Sequence, residues 1–289
     1  MSTSERPTKA QRREEAKVAV ARMREEQERK AKTRRTLGIA GAVVAVAVLA
    51  VTIILIVRQG DRARLEDIAL RPQGSTLSGA IPVGADGVAG STAGSADDAV
   101  VVSIYTDYMC PICGEFEKAE GADLDKMREA GDIVVEYHPV SILDRASKGT
   151  SYSTRAATAA ALVADKAPDV YLAFNEALFT EQPAEDTEGL TGAQIAKIAR
   201  DSGVPEEIAA TIESGEYLGE FLGSDAVDGA RPLNETYVPW VTAVTAQASE
   251  DLGNLATPTI LINGVPLDTE KYSWQQPGSL AQAVADARG

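Results

Sequence analysis

The sequence of 289 residues predicts an α/β domain preceded by a single transmembrane helix. Residues 37–57 contain no charged side chain, although a quarter of the whole chain is charged. From residue 98 onward a β-branched run, a helical pattern and a second β-branched run follow one another, which is typical of a sheet covered by helices. A further β-rich segment lies near residue 260, after a long stretch with helical periodicity.

The charge of the chain excludes some classes of function. With 43 acidic and 28 basic residues the net charge is −15, which argues against binding nucleic acid, because that requires a basic face. The two cysteines exclude a disulfide-rich scaffold. The single histidine, His138, excludes a His-rich metal site. The charge is also split, at +6 over residues 1–36 and −21 over residues 58–289.

The uncharged segment, residues 37–57, has the length of a membrane span. Twenty-one residues form about 32 Å of helix, against a hydrocarbon core of about 30 Å. A buried core helix of this length would show a polar face, and a cleaved signal peptide would have a shorter apolar region, of about 7–15 residues, and a small-residue cleavage site. The segment is therefore predicted to be an uncleaved signal anchor.

The flanking charges predict the orientation of this span. Residues 22–36 hold seven Lys or Arg, and residues 58–72 hold four. The positive-inside bias places residues 1–36 in the cytoplasm as a charged tail. The chain is thus expected to be a single-pass plasma membrane protein with residues 58–289 outside the cytoplasm.

Residues 58–97 are predicted to be a flexible linker. Of the 25 residues 72–96, 17 are Gly, Ala, Ser or Pro, which is a composition typical of linkers. The short apolar run Ile81-Pro82-Val83 could dock on the domain that follows. The folded domain is accordingly predicted to cover residues 98–289.

The two cysteines lie between a predicted strand and a predicted helix. Val100–Tyr105 is a β-branched run, and Cys110-Pro111-Ile112-Cys113 follows it at the start of a helix that reaches about Gly131. A second strand is expected over Ile133–His138. The spacing therefore indicates the order strand, Cys-x-x-Cys, helix, strand.

This placement favours redox chemistry. A cysteine at a helix N-terminus meets unpaired N–H groups and the positive end of the helix dipole, which both stabilise the thiolate that attacks disulfides. Cys110 is thus predicted to be the exposed nucleophile and Cys113 the more buried resolving thiol. Pro111 at the first helical position loses no hydrogen bond. Asp107, Glu115 and Glu117 are weaker candidates for proton transfer.

Other interpretations of the cysteine pair stay open at this point. A structural disulfide is one, although closing a loop of four residues gains little chain entropy. Zinc is another, but the chain offers only Cys110, Cys113 and His138 for a metal that takes four ligands. No metal or organic cofactor is expected.

A second motif lies downstream, where Thr257-Pro258 opens the run TPTILING. Together with the strand, the CPIC sequence and the helix, it resembles the thioredoxin superfamily, and within it the membrane-anchored DsbA-like thiol:disulfide oxidoreductases. The resemblance covers roughly residues 98–289. It implies a thioredoxin fold with a helical insertion at about residues 149–252.

The resemblance also implies roles for residues and partners. Pro258 matches the cis-proline that faces the cysteine pair, and Thr257 matches the residue whose backbone pairs with an extended substrate. The clients would be cysteine-containing envelope or secreted proteins, and a quinone-linked membrane protein would reoxidise the cysteines. A location outside the cytoplasm favours oxidase or isomerase over reductase activity.

Two features depart from the family pattern. The strongly oxidising DsbA type has histidine where this chain has Ile112, and an apolar side chain cannot stabilise the thiolate. The pKa of Cys110 is therefore expected below the free value of about 8.5 but above the value of about 3.5 known for DsbA. Residues 223–239 resemble an added loop.

The alternative function is a non-catalytic thioredoxin-fold binding or assembly module with a structural disulfide.

Overall fold

The computed structural model describes residues 64–222 and 231–288. The predicted cytoplasmic tail (1–36) and membrane span (37–57) lie outside the described residues, as does much of the predicted loop at 223–239. Within the described ranges, no helix is both long enough and apolar enough to cross a bilayer. The predictions on membrane insertion therefore stay predictions.

The described residues contain a mixed sheet of five strands in the order β1-β3-β2-β4-β5. The strands are β1 (Ile81–Val83), β2 (Val100–Thr106), β3 (Ile133–Pro139), β4 (Thr259–Ile262) and β5 (Val265–Pro266). β2 and β3 run parallel, and the other neighbouring pairs run antiparallel. Asn263 and Gly264, both with positive φ, form the two-residue turn between β4 and β5, as hairpin chemistry requires.

Seven α-helices surround this sheet within the described ranges. They are α1 (Pro111–Glu129), α2 (Tyr152–Lys166), α3 (Tyr171–Thr180), α4 (Gly192–Asp201), α5 (Glu206–Ser214), α6 (Val238–Asp251) and α7 (Ser279–Arg288). The element order β2-α1-β3, then helices, then β4-β5-α7, confirms the predicted α/β fold with a helical insertion.

The central strand β2 positions the N-terminus of α1. Its residues alternate between the two covered faces of the sheet, and Val102 and Ile104 are fully buried. β2 ends at Thr106, and α1 begins five residues later at Pro111. Helix α1 ends before Gly131, whose φ of +77° provides the left-handed turn into β3.

The insertion, α2 to α6, lies between β3 and β4 along the chain. α2 is its central helix, with Ala-rich faces that are almost completely buried and that pack against α3 and α6. Thr191 is the N-cap residue of α4. Its side chain accepts a hydrogen bond from the backbone N–H of Gln194, and the Gln194 side chain accepts one from the backbone N–H of Thr191, which is a capping box. Sequence periodicity predicts these helices at residues 153–166, 170–179, 192–201, 206–214 and 237–252, which agrees with the observed bounds to within one residue.

The predicted linker is wrong in the part that precedes β2. Ile81 and Val83 are fully buried, and β1 pairs antiparallel with β3, with Ile81 opposite Tyr137. Further upstream Leu65 is buried, and the Gln73 N–H donates to the Asp165 carboxylate at 2.7 Å. The fold therefore begins well before residue 98. The apolar run at 81–83, which the sequence suggested could dock on the domain, does so as β1. Composition assigned the rest of the segment to a linker because its order comes from contacts with distant parts of the chain.

Candidate active site

The first cysteine lies at the N-terminus of α1. Cys110 is the N-cap residue with extended backbone angles, and Pro111 occupies the first helical turn. The Cys110 carbonyl accepts hydrogen bonds from the N–H groups of Cys113 at 2.9 Å and Gly114 at 3.3 Å. Its sulfur thus lies where the free N–H groups of the helix favour negative charge.

The predicted partner segment lies directly against this sulfur. The Thr257–Pro258 peptide bond is cis, and the Thr257 carbonyl oxygen lies 3.2 Å from the Cys110 Sγ, which donates to it as a thiol. The contact arises because β4 begins just after Pro258 and pairs with β2, with Thr259 opposite Tyr105. The structure thus brings together the two motifs that the sequence placed far apart.

The exposure of Cys110 differs from the prediction. Cys110 is 6 % exposed and Cys113 is fully buried, so the order is as expected but the nucleophile is itself largely covered. The segment containing Thr257 covers the sulfur, and sequence gives no measure of that packing. The exposed side chains of the motif are Pro111 and Ile112, the latter 49 % exposed.

The two thiols titrate in opposite directions. The pKa of Cys110 is lowered to about 6, first because the Cys113 thiol donates a hydrogen bond to its sulfur, and also through the N–H groups of Cys113 and Ile112. Burial raises the pKa of Cys113 above the ordinary range, and the neighbouring Cys110 sulfur raises it further. At neutral pH the pair therefore consists of a thiolate at Cys110 and a thiol at Cys113.

The acidic residues that the sequence offered for proton transfer lie in different parts of the structure. Asp107 is fully buried, and its carboxylate accepts hydrogen bonds from the N–H groups of Met109 and Leu143, both at 2.9 Å. Burial raises its pKa to about 6. Asp107 thus holds the turn before Cys110 in place. Glu115 is exposed on α1.

A cavity of about 750 Å³ lies between α1 and α3. Glu117, Glu176 and Arg128 are among its lining residues. The pKa of Glu117 is raised to about 7, first by burial and then by the charges of Glu176 and Asp125. The cavity reaches Gly114 in the first turn of α1, next to the cysteine pair.

Sequence reasoning did not find Gln182. Its side-chain Nε2 donates to the carbonyl oxygens of Tyr108 at 3.0 Å and Cys110 at 2.9 Å. Gln182 follows α3 and precedes Pro183, in a position that carries no recognisable motif. Only the three-dimensional placement of the insertion reveals this contact.

His138 lies within the sheet. It is almost fully buried, stacks on Tyr105 with ring centroids 4.0 Å apart, and places Nε2 3.9 Å from the Glu136 carboxylate. Among residues 64–222 and 231–288, no three or more His, Cys, Asp or Glu side chains form a group able to hold a metal ion.

Comparison with known families agrees with this geometry. A family model described as thioredoxin matches residues 88–276, which is more than half of the chain. The chain belongs to this thioredoxin family. Together with the solved structures it is similar to, the match shows that the chain is a DsbA-like member of the thioredoxin superfamily.

Two solved structures from Mycobacterium tuberculosis are similar to the chain. The reduced form of the disulfide bond oxidoreductase DsbG is 29 % identical, with a TM-score of 0.53 over 73 % of this chain and 88 % of that one. Oxidised DsbA is 30 % identical, with a TM-score of 0.52 over 73 % of this chain and 93 % of that one.

A curated relative of another kind is the serine/threonine-protein kinase PknE of Mycobacterium tuberculosis. It is 33 % identical over 154 residues, which are 51 % of this chain and 27 % of the kinase. The chain thus spans only about a quarter of the length of the curated relative that it matches.

Proposed function

We propose that the protein is a thiol:disulfide oxidoreductase that exchanges disulfides with cysteine-containing client proteins. The observation that carries this proposal is the pairing of a Cys110 sulfur of lowered pKa with a buried Cys113 thiol one helical turn away. The Cys110 thiolate attacks a client disulfide, forming one S–S bond and releasing one client thiolate. Cys113 then attacks Cys110, and the client leaves with both sulfurs reduced; oxidation of a client is the reverse.

Trapping of mixed disulfides tests this proposal. Cys113→Ala removes the resolving thiol, so covalent complexes between Cys110 and clients should accumulate and disappear on reduction. The trap is best performed near pH 8, because the variant also loses the hydrogen bond that stabilises the Cys110 thiolate. Cys110→Ser is the matched control and should trap nothing. Equal yields from both variants, or none from either, would contradict the proposal.

We propose that the disulfide exchange serves oxidase or isomerase activity and not reductase activity. The support is the proposed location outside the cytoplasm, where structural disulfides form. Titration of the cysteine pair against glutathione measures the reduction potential. Comparable proteins range from about −270 mV for thioredoxin to about −120 mV for DsbA, and we expect a value in the upper half of that range. A value near the thioredoxin end would contradict this direction.

A membrane tether with the domain outside the cytoplasm is also part of the proposal. Its support is the uncharged run at 37–57 and the excess of Lys and Arg before it. Because Cys110 and Cys113 are the only cysteines in the chain and Cys113 is fully buried, a membrane-impermeant maleimide should label the chain at Cys110 in reduced intact cells. Labelling only after lysis would contradict the orientation. A quinone-linked membrane protein is the proposed oxidant of the reduced pair.

The second candidate is a non-catalytic binding module. Two observations favour it: Cys110 is only 6 % exposed, and 154 residues, 51 % of the chain, match part of a protein kinase. In that case both cysteine variants should retain partner binding and trap no client.

A further inference from the structure

The contact of Gln182 with the cysteine turn extends the function proposed above. Gln182 belongs to the helical insertion, two residues after α3 ends at Thr180. Its amide donates to the two carbonyls that flank Met109, at Tyr108 and Cys110. We propose that Gln182 is a positioning residue for Cys110, and that it couples the reactivity of this thiol to docking of the insertion. The proposal rests on disulfide exchange by Cys110.

The Gln182 contact has an electrostatic effect on Cys110. The carbonyl oxygens of Tyr108 and Cys110 carry partial negative charge beside a sulfur that must itself become negative. An amide N–H donated to both oxygens offsets part of that charge. The same contact restricts rotation of the peptide groups around Cys110, which keeps its sulfur near the N–H groups of Ile112 and Cys113.

Gly114, in the first turn of α1, lies directly against the Gln182 side chain. Its φ is not positive, so the backbone does not require glycine, and glycine in a helix costs about 0.5–1 kcal/mol relative to alanine. A Cβ atom built on Gly114 would lie 2.5 Å from Oε1 of Gln182. Glycine at this position therefore makes the space that the Gln182 amide occupies.

Gly121 offers a matched comparison in the same helix. A Cβ on Gly121 meets no atom closer than 3.5 Å, at the Glu117 carboxylate, which is ordinary contact. Alanine should therefore be tolerated at 121 and disruptive at 114, although both positions lie in α1. The difference between the two positions isolates the space occupied by Gln182.

The test measures the pH midpoint of Cys110 alkylation in the full reduced chain. Gln182→Ala should raise the midpoint by about one pH unit and slow alkylation at pH 6.5 by about threefold, because the thiolate fraction then falls from about three quarters to about one quarter. Gln182→Glu keeps the size of the side chain but replaces the donor with a negative charge, so it should raise the midpoint at least as much. Gln276→Ala removes an exposed glutamine and should leave the midpoint unchanged.

Gly114→Ala and Gln182→Ala form a double-mutant cycle. Gly114→Ala alone should raise the midpoint, while Gly114→Ala combined with Gln182→Ala should behave like Gln182→Ala alone, because the two changes remove one contact. Gly121→Ala should not alter the midpoint. Additive effects of the two changes would overturn the explanation for Gly114.

Two outcomes separate this inference from the proposed function. If Gln182→Ala lowers the melting temperature but leaves the alkylation midpoint unchanged, Gln182 is only structural and the inference is wrong. That result leaves the trapping of clients by Cys113→Ala unaffected. If no client is trapped while Gln182→Ala does shift the midpoint, the proposed function is wrong and the positioning role of Gln182 stands.

Discussion

The sulfur of Cys110 lies 3.2 Å from the carbonyl oxygen of Thr257, a residue 147 positions later in the chain. The first segment supplies the sulfur and the groups that lower its pKa, and the second segment lies against it. Their contact follows from the pairing of β2 with β4 in the middle of the sheet. The site is therefore a product of the tertiary fold.

The hydrogen bond from Cys113 makes a testable contribution to the reactivity of Cys110. The wild-type alkylation midpoint is expected at about pH 6. Cys113→Ala removes the largest cause of this low pKa and should raise the midpoint by about one pH unit or more, which is about a tenfold change in the acid dissociation constant of Cys110. Cys113→Ser keeps a hydroxyl donor and should give a smaller rise. If both variants kept the wild-type midpoint, the N–H groups of α1 would be the dominant cause of the low pKa of Cys110.

Asp107 should prove important for stability. Asp107→Ala leaves the N–H groups of Met109 and Leu143 without their acceptor in a buried position, at a cost of about 1–3 kcal/mol for each group. Urea denaturation should show a loss of about 2–6 kcal/mol in the free energy of unfolding. Asp98→Ala, at an exposed position, is the control and should change stability little. A loss no larger than that of the control would contradict the role in holding the turn.

Glu120 should make stability depend on pH. It is 1 % exposed, neither carboxylate oxygen has a hydrogen-bond partner among the described residues, and burial raises its pKa to about 7, with Asp123 adding to the shift. Because this acid binds its proton more tightly in the folded chain, its ionisation opposes folding above about pH 7 and has no effect well below pH 4.5.

Glu120→Gln should therefore stabilise the protein at pH 8, by about 1–3 kcal/mol, and the gain should shrink as the pH falls toward 4.5. Thermal unfolding at pH 8 and pH 4.5 measures this difference. The exposed Glu115 on the same helix provides the control variant Glu115→Gln. A gain that is equal at both pH values would show that the carboxylate is not the cause.

The burial of β1 can be tested by a single truncation. Ile81→Ala removes a fully buried side chain and should cost about 2–4 kcal/mol in the free energy of unfolding. Leu77→Ala, four residues earlier and 68 % exposed, should cost little. If Ile81→Ala were as harmless as its control, residues 81–83 would be a linker after all.

The sequence predicted those elements whose buried apolar residues recur at a regular spacing along the chain. α2 and α4 have apolar residues at helical spacing, and Thr191 has the local chemistry of an N-cap, so each could be recognised without its neighbours. Residues 81–83 have only three positions and no period. Their partner β3 lies about fifty residues away, so the sequence suggested that they could dock on the domain but not where.

The candidate site was predicted to a similar extent. The cysteines and Pro258 belong to recognisable motifs, and the structure places them together. The covering of Cys110 and the contact from Gln182 depend on how a distant loop and the insertion pack on α1. Such contacts have no signature in one sequence, because any polar residue in a loop could have supplied them.

The two outer strands of the sheet limit pairing with other polypeptide chains. Each is only two or three residues long and contains a proline, Pro82 in β1 and Pro266 in β5. The outer side of β1 is covered as well, since the Pro82 carbonyl accepts from the Gly90 N–H. Neither rim of the sheet offers a row of free hydrogen-bonding groups on which a polypeptide could assemble. The short outer strands therefore protect the described domain against edge-to-edge association with a second polypeptide chain.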